Sequence, residues 1–149
     1  MKNTPLILAL MLSSICGYVS AGENALVISY KDKALEWGPC PDFIPAGCEI
    51  AVLQGDPTKN NLDVYFKVPA DFKIPHHIHT SQERMILVSG TLDVKYDNHE
   101  NVTIKVGEYA YGPAKLPHSA YCHKGDACVL YIGFVEPLDA MPVKITKAK

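Results

Sequence analysis

His77-Ile78-His79-Thr80-Ser81-Gln82-Glu83, followed after six further residues by Gly90, is the stretch from which this chain is best understood. In an extended strand alternate side chains share a face, so His77 and His79 point at one target. Glu83 keeps their parity if the chain stays extended or returns after a short turn. Two imidazoles and a carboxylate form a borderline ligand set, one that suits Fe, Mn, Ni, Zn or Cu better than Ca or Mg. The stretch therefore predicts a metal site.

Downstream, Gly107-Glu108-Tyr109-Ala110-Tyr111-Gly112-Pro113-Ala114-Lys115-Leu116-Pro117-His118 supplies one more histidine after an approach punctuated by glycine and proline. It can complete a site of three histidines and one glutamate: His77, His79, Glu83 and His118. Together the two segments resemble the paired motifs of the cupin superfamily, whose members are small jelly-roll barrels with a metal at the barrel centre. His77, His79, Glu83 and Gly90 match the first motif, and Gly107, Pro113 and His118 match the second. Asp71 stands where the family pattern usually opens with glycine, so the entering turn is expected to be built differently. Lys115 stands at a second common glycine position and Cys122 at a common asparagine.

The surrounding sequence has the rhythm of strands. Apolar residues alternate through Leu62–Val68 and Leu92–Tyr96, and Met85-Ile86-Leu87-Val88 is apolar and β-branched. Turn-forming clusters separate them, among them Gly55–Asn61, Ser89-Gly90, Asp97–Asn101 and Lys124-Gly125-Asp126. Outside the first residues no long run has helical periodicity. An all-β, antiparallel jelly-roll barrel is the expected fold, with a motif core over about residues 62–135 and no internal repeat. Leu62, Val64, Phe66 and Val68 should face the lumen, with Met85 and Leu87 sharing the parity of Glu83. Tyr109, Tyr111 and Tyr131 are candidates for a polar role in the cavity. His76 should face away from His77, and His99 and His123 fall in loops. Trp37, beside a turn, is a candidate cover for a barrel end or an oligomer surface.

Met1 to Gly17 reads as a short basic start and an apolar run too short to span a membrane, which is the pattern of a secretory signal peptide. Val19-Ser20-Ala21 suits cleavage after Ala21, giving a signal over residues 1–21 and a single domain over 22–149. Removing 21 residues from 149 leaves 128, enough for one core. The full chain carries a net charge of −2 with its basic residues scattered, which speaks against nucleic acid as a partner. Past the signal four cysteines remain, and an even number in an exported chain suggests bridges. Local pairs, Cys40 with Cys48 and Cys122 with Cys128, are favoured because each brackets a turn. The competing reading makes Cys122 a thiolate near the metal. Asn101-Val102-Thr103 would be a glycosylation acceptor in a eukaryotic secretory pathway.

These observations predict an exported protein, periplasmic or extracellular, that holds one divalent metal, with Fe, Mn or Zn first and Ni or Cu next. Two functional classes remain open. One is a metal-dependent enzyme of dioxygenase, decarboxylase or isomerase type, acting on a small chelating organic or sugar-acid substrate, with Glu83 as the candidate catalytic group. The other is a non-catalytic module that binds or senses a small molecule. Resemblance to other single-domain cupins also implies a homodimer formed through sheet edges.

Overall fold

Short alternating segments become strands throughout the computed structural model, which describes residues 25–143. The expected signal peptide over residues 1–21 lies outside that range. Eleven strands and no helix are found among the described residues: β1 (Gly38–Pro39), β2 (Glu49–Gln54), β3 (Leu62–Val68), β4 (Phe72–Ile78), β5 (Glu83–Ser89), β6 (Thr91–Tyr96), β7 (Asn101–Lys105), β8 (Tyr109–Gly112), β9 (His118–Cys122), β10 (Cys128–Phe134) and β11 (Met141–Pro142). They form two antiparallel sheets, one ordered β1-β2-β3-β10-β5-β8 and the other β11-β4-β9-β6-β7. The fold is an all-β jelly roll, as the strand rhythm and motifs predicted.

Burial follows parity, because each strand turns one face to the space between the sheets. In β3, Leu62, Val64 and Val68 are buried while Asp63, Tyr65 and Lys67 lie on the other face, partly exposed. In β5, Glu83, Met85 and Leu87 are buried and Arg84 and Ile86 point outward. Burying an aliphatic side chain of this size contributes about 2 kcal/mol, so these alternating positions supply much of the drive to close the sandwich.

Register places particular residues opposite one another at each end of the barrel. Across the second sheet His77 pairs with His118, and His118 with Tyr96, so three side chains form one row over β4, β9 and β6. Across the first sheet Leu62 pairs with Phe134, Phe134 with Glu83, and Glu83 with Gly112, giving the corresponding row over β3, β10, β5 and β8. At the far end Phe72 pairs with Cys122, which pairs in turn with Leu92, and Cys128 pairs with Val68. Between Ile74 and His77 the β4 register shifts. Pro75, which has no N–H to give a neighbouring strand, occupies this irregularity.

The turns use left-handed backbone where the motifs call for it. Gly90 joins β5 to β6 with φ 82, and a side chain there would meet Ala127 O and Cys128 Sγ at 2.9 Å. Asp71 and Lys115 have φ 58 and 61. The entering turn thus keeps the conformation that glycine adopts most easily, contrary to the expectation that a different residue would build it differently. Asp71 is supported there by Tyr121, whose hydroxyl donates to its carboxylate at 2.5 Å.

Both disulfides are the local ones, Cys40–Cys48 and Cys122–Cys128. Cys122 is therefore a bridge rather than a thiolate near the metal. Trp37 lies beneath Lys67, whose Nζ sits 4.0 Å from the ring centroid.

Candidate metal centre

Three imidazoles meet between the two sheets. His77 is in β4, His79 follows β4 by one residue, and His118 opens β9. Their ligand nitrogens lie within 4.8 Å of one another. From the other sheet Glu83, the first residue of β5, brings its Oε1 to 3.4 Å from His79 Nε2 and its Oε2 to 3.6 Å from His118 Nε2. All four side chains are buried.

The ring orientations are held from behind. His77 Nδ1 lies 2.7 Å from Pro75 O, and His118 Nδ1 lies 3.1 Å from Leu116 O. His79 Nδ1 faces Asp139 O. A backbone carbonyl only accepts, so each Nδ1 must carry the hydrogen and donate it. Each Nε2 is left as a bare lone pair turned inward. His77 Nε2 and His79 Nε2 then stand 3.1 Å apart with no proton between them. A cation shared by these nitrogens removes that repulsion, and the backing carbonyls are the outer partners that ligating imidazoles generally have. The donor set thus fits a divalent metal.

Electrostatics agree with this arrangement. Burial holds His77 at about 3 and His118 at about 4, well below the usual imidazole range. Both rings are therefore neutral near pH 7, as metal ligation requires. Burial also raises the Glu83 carboxyl, with His79 partly opposing the shift. A bound cation would reverse that penalty.

A segment after β10 roofs the site. Ser81 Oγ accepts hydrogen bonds from Val135 N at 2.9 Å and Glu136 N at 3.1 Å. Asp139 accepts from Thr80 N at 2.8 Å and Thr80 Oγ1 at 2.6 Å, while its carbonyl orients His79. β11 then pairs with the His77–Ile78 end of β4. A cavity of about 490 Å³ opens beneath this roof, bounded also by Pro39 of β1 and by Cys40 and Ile44 of the loop closed by the first disulfide.

Other sequence candidates lie elsewhere. His76 faces outward, with Nε2 2.9 Å from Asp97 Oδ1. His123 is paired with Asp93 at 3.1 Å, and His99 contributes to a surface turn. Tyr109 and Tyr111 are 62% and 48% exposed, and Tyr131 donates to Asp63 at 2.7 Å. None of these three tyrosines lines the cavity. The tyrosine that does is Tyr96, tilted against His118 with the ring centroids 4.9 Å apart. Its parity with Leu92 and Val94 was the available signal. The part played by Asp139 had none, since any residue carries a backbone carbonyl.

Residues 26–136 match the ChrR cupin-like domain family, and the chain belongs to that family. No curated protein matches the sequence significantly. Among solved structures, the fold is similar to the polyketide cyclase RemF from Streptomyces resistomycificus, with 15% identity and a TM-score of 0.65, covering 82% of this chain and 89% of that one. It is also similar to an RmlC-like cupin from Shewanella frigidimarina, with 16% identity and a TM-score of 0.61, covering 77% and 95% respectively. The DMSP lyase DddQ from Ruegeria pomeroyi is similar with 13% identity and a TM-score of 0.64 over 77% of this chain. The match spans 64% of that lyase, less than two thirds of its length. At these identities the likeness is one of fold.

Proposed function

We propose that this protein is an exported cupin that holds one divalent metal through His77, His79 and His118 Nε2 and the Glu83 carboxylate, and acts on a small oxygen-chelating organic molecule. One observation carries the reading: three Nδ1–H groups are committed to backbone carbonyls, which leaves three unprotonated Nε2 atoms converging on one point. A metal bound there would serve as a Lewis acid towards the oxygens of the substrate. The protein holds the three imidazoles neutral and in one tautomer, places Glu83 beside them, and covers the site with the segment bearing Leu138 and Asp139. Glu83 is the candidate catalytic group, because its carboxylate stands beside His79 and His118 in the wall of the cavity.

A DMSP lyase and a polyketide cyclase share this fold, and we place this protein among metal-dependent enzymes of lyase, isomerase or dioxygenase type. Two disulfides support export to the periplasm or beyond, because such bridges persist in oxidising compartments. No helix among the described residues is long and apolar enough to cross a membrane. A homodimer through β7 or β8 is our reading of those edge strands, where Val102, Tyr109 and Tyr111 are exposed.

The decisive test is elemental analysis of the exported protein purified without chelator or metal-affinity resin. Near-stoichiometric Fe, Mn or Zn, lost in His77→Ala, is the expected result. Absence of any divalent metal after reconstitution would refute the proposal. A non-catalytic binding module would retain metal and ligand yet return each candidate substrate unchanged.

A further inference from the structure

The wall of the cavity selects its guest. Val64, Phe66, Ile74, Met85, Leu130 and Ile132 supply much of it. Among the described residues, no Lys, Arg, Ser, Thr, Asn or Gln lines the space. Asp139 does reach the lining, but its two carboxylate oxygens already accept from Thr80. A guest rich in hydroxyls would lose its water here without replacement partners, and each unpaired group would weaken its binding. A sugar acid is such a guest.

One polar group in this wall is uncommitted. The Tyr96 hydroxyl is buried and has no hydrogen-bond partner. Native structures rarely leave such a group unpaired without a reason. Its place is made by a missing side chain: a Cβ on Gly112 would lie 2.7 Å from Tyr96 Oη and 3.0 Å from Glu83 Oε2. Glycine at 112 therefore leaves the room that both oxygens occupy beside the histidines. Registry supports the arrangement, since Tyr96 is directly opposite His118 and Gly112 directly opposite Glu83.

We infer that the site takes a largely apolar molecule bearing two adjacent oxygens, such as an enolised 1,3-dicarbonyl or an α-hydroxyketone, and that Tyr96 donates a hydrogen bond to one of those oxygens. This inference rests on the metal reading above and narrows its substrate to the apolar class. The apolar body fills the space between Val64, Met85 and Ile132, and the oxygen pair faces the histidines. Among the described residues, Tyr96 is the one side-chain donor in the lining, outside the metal-binding set, that has no partner of its own.

The test is calorimetric titration of the metal-reconstituted full protein with three probes: tropolone, 4-isopropyltropolone and galacturonate. Metal content is measured first for wild type and Tyr96→Phe. We expect both to hold metal equally and to melt at closely similar temperatures, because the hydroxyl has no protein partner to lose. Tropolone should bind wild type, and its isopropyl derivative roughly tenfold tighter as further apolar surface leaves water. Galacturonate should bind about a hundredfold more weakly than tropolone or not at all. Tyr96→Phe should weaken tropolone about tenfold, the effect of one lost hydrogen bond. Equal or tighter galacturonate binding, no gain from the isopropyl group, or no binding of tropolone by metal-loaded protein would overturn the substrate class. Unchanged tropolone affinity in Tyr96→Phe would overturn the role of Tyr96. Failure of wild type to take metal would be seen before any probe is added and would instead strike the underlying metal reading.

Discussion

The two ends of the barrel are built on opposite plans. At one end Phe72, Leu92, Val68 and the Cys122–Cys128 bridge fill the space between the sheets, and Gly90 turns tightly against them. Every group there has a packing partner or a covalent one. At the other end His77, His79, His118, Glu83 and Tyr96 crowd together with lone pairs facing lone pairs and one hydroxyl unpaired. The contrast teaches that close packing and unpaired polar groups are kept at opposite ends of one fold. The closed end holds the sheets in register, and the polar end can then keep buried groups in an arrangement that only a guest completes.

The sharpest way to break this comparison is at the polar end. His118→Ala should lower metal affinity by at least about a hundredfold while leaving the far-ultraviolet circular dichroism of the barrel intact, because one of three converging nitrogens is lost. If metal content survived, the polar end would not be a metal centre.

The closed end should answer in stability. Gly90→Ala adds a Cβ 2.9 Å from Ala127 O at a backbone with φ 82. We expect a loss of about 2–4 kcal/mol in denaturant unfolding, from left-handed strain together with overpacking. Metal stoichiometry at low temperature should be preserved. Replacing Cys122 and Cys128 together by alanine should cost less, about 2 kcal/mol, because the bridge closes a short loop. A large loss of metal in either variant would show that the two ends are coupled.

Acid should separate the ends further in chelator-treated protein. The unfolded chain protonates His77 and His118 near the ordinary value of 6.5, whereas burial delays their protonation in the fold to about 3 and about 4. Between these limits the unfolded state holds more protons, so their contribution to stability is intact above pH 6.5 and falls as pH drops towards 3. Glu83 acts in the opposite sense: its carboxyl is raised above the ordinary 4.5, so its contribution declines as pH rises through that range. Unfolding midpoints measured across pH 3 to 7 for wild type and His77→Phe check the sign, since the variant should lose part of the acid sensitivity.

The smallest effect is expected on the outer face of the first sheet. Tyr131 donates to Asp63 at 2.7 Å, and burial with this bond pushes its phenol up to about 12. Tyr131→Phe should cost about 1 kcal/mol and leave metal and ligand binding unchanged. A change in ligand affinity would place Tyr131 in communication with a cavity it does not touch.

Much of the site was legible because its spacing carries geometry. His77 and His79 differ by two residues, and a strand converts that difference into a shared face. Tyr96 had the same kind of signal in its alternation with Leu92 and Val94, but a tyrosine in such a strand is ordinary core material. It stands out only when its hydroxyl proves to be unpaired. The exposed Tyr109 and Tyr111 show the converse, since β8 is an edge strand and edge position is not written in local alternation. Asp71 and Lys115 show a further gap, because a sequence names the side chain and leaves φ to the surrounding turn.

By itself the sequence determined the strand periodicity, the identity and spacing of the ligand-type residues, and the cysteines available for local bridges, all of which follow from side-chain chemistry at short range. The tertiary structure alone decided that β4 with the residue after it, β5 and β9 bring His77, His79, Glu83 and His118 together, that carbonyls of Pro75, Leu116 and Asp139 set the tautomers, and that the Tyr96 hydroxyl packs against Gly112. Those outcomes depend on strand register and sheet closure. They arise from pairing between residues distant in the chain, where backbone atoms common to every residue do the selecting.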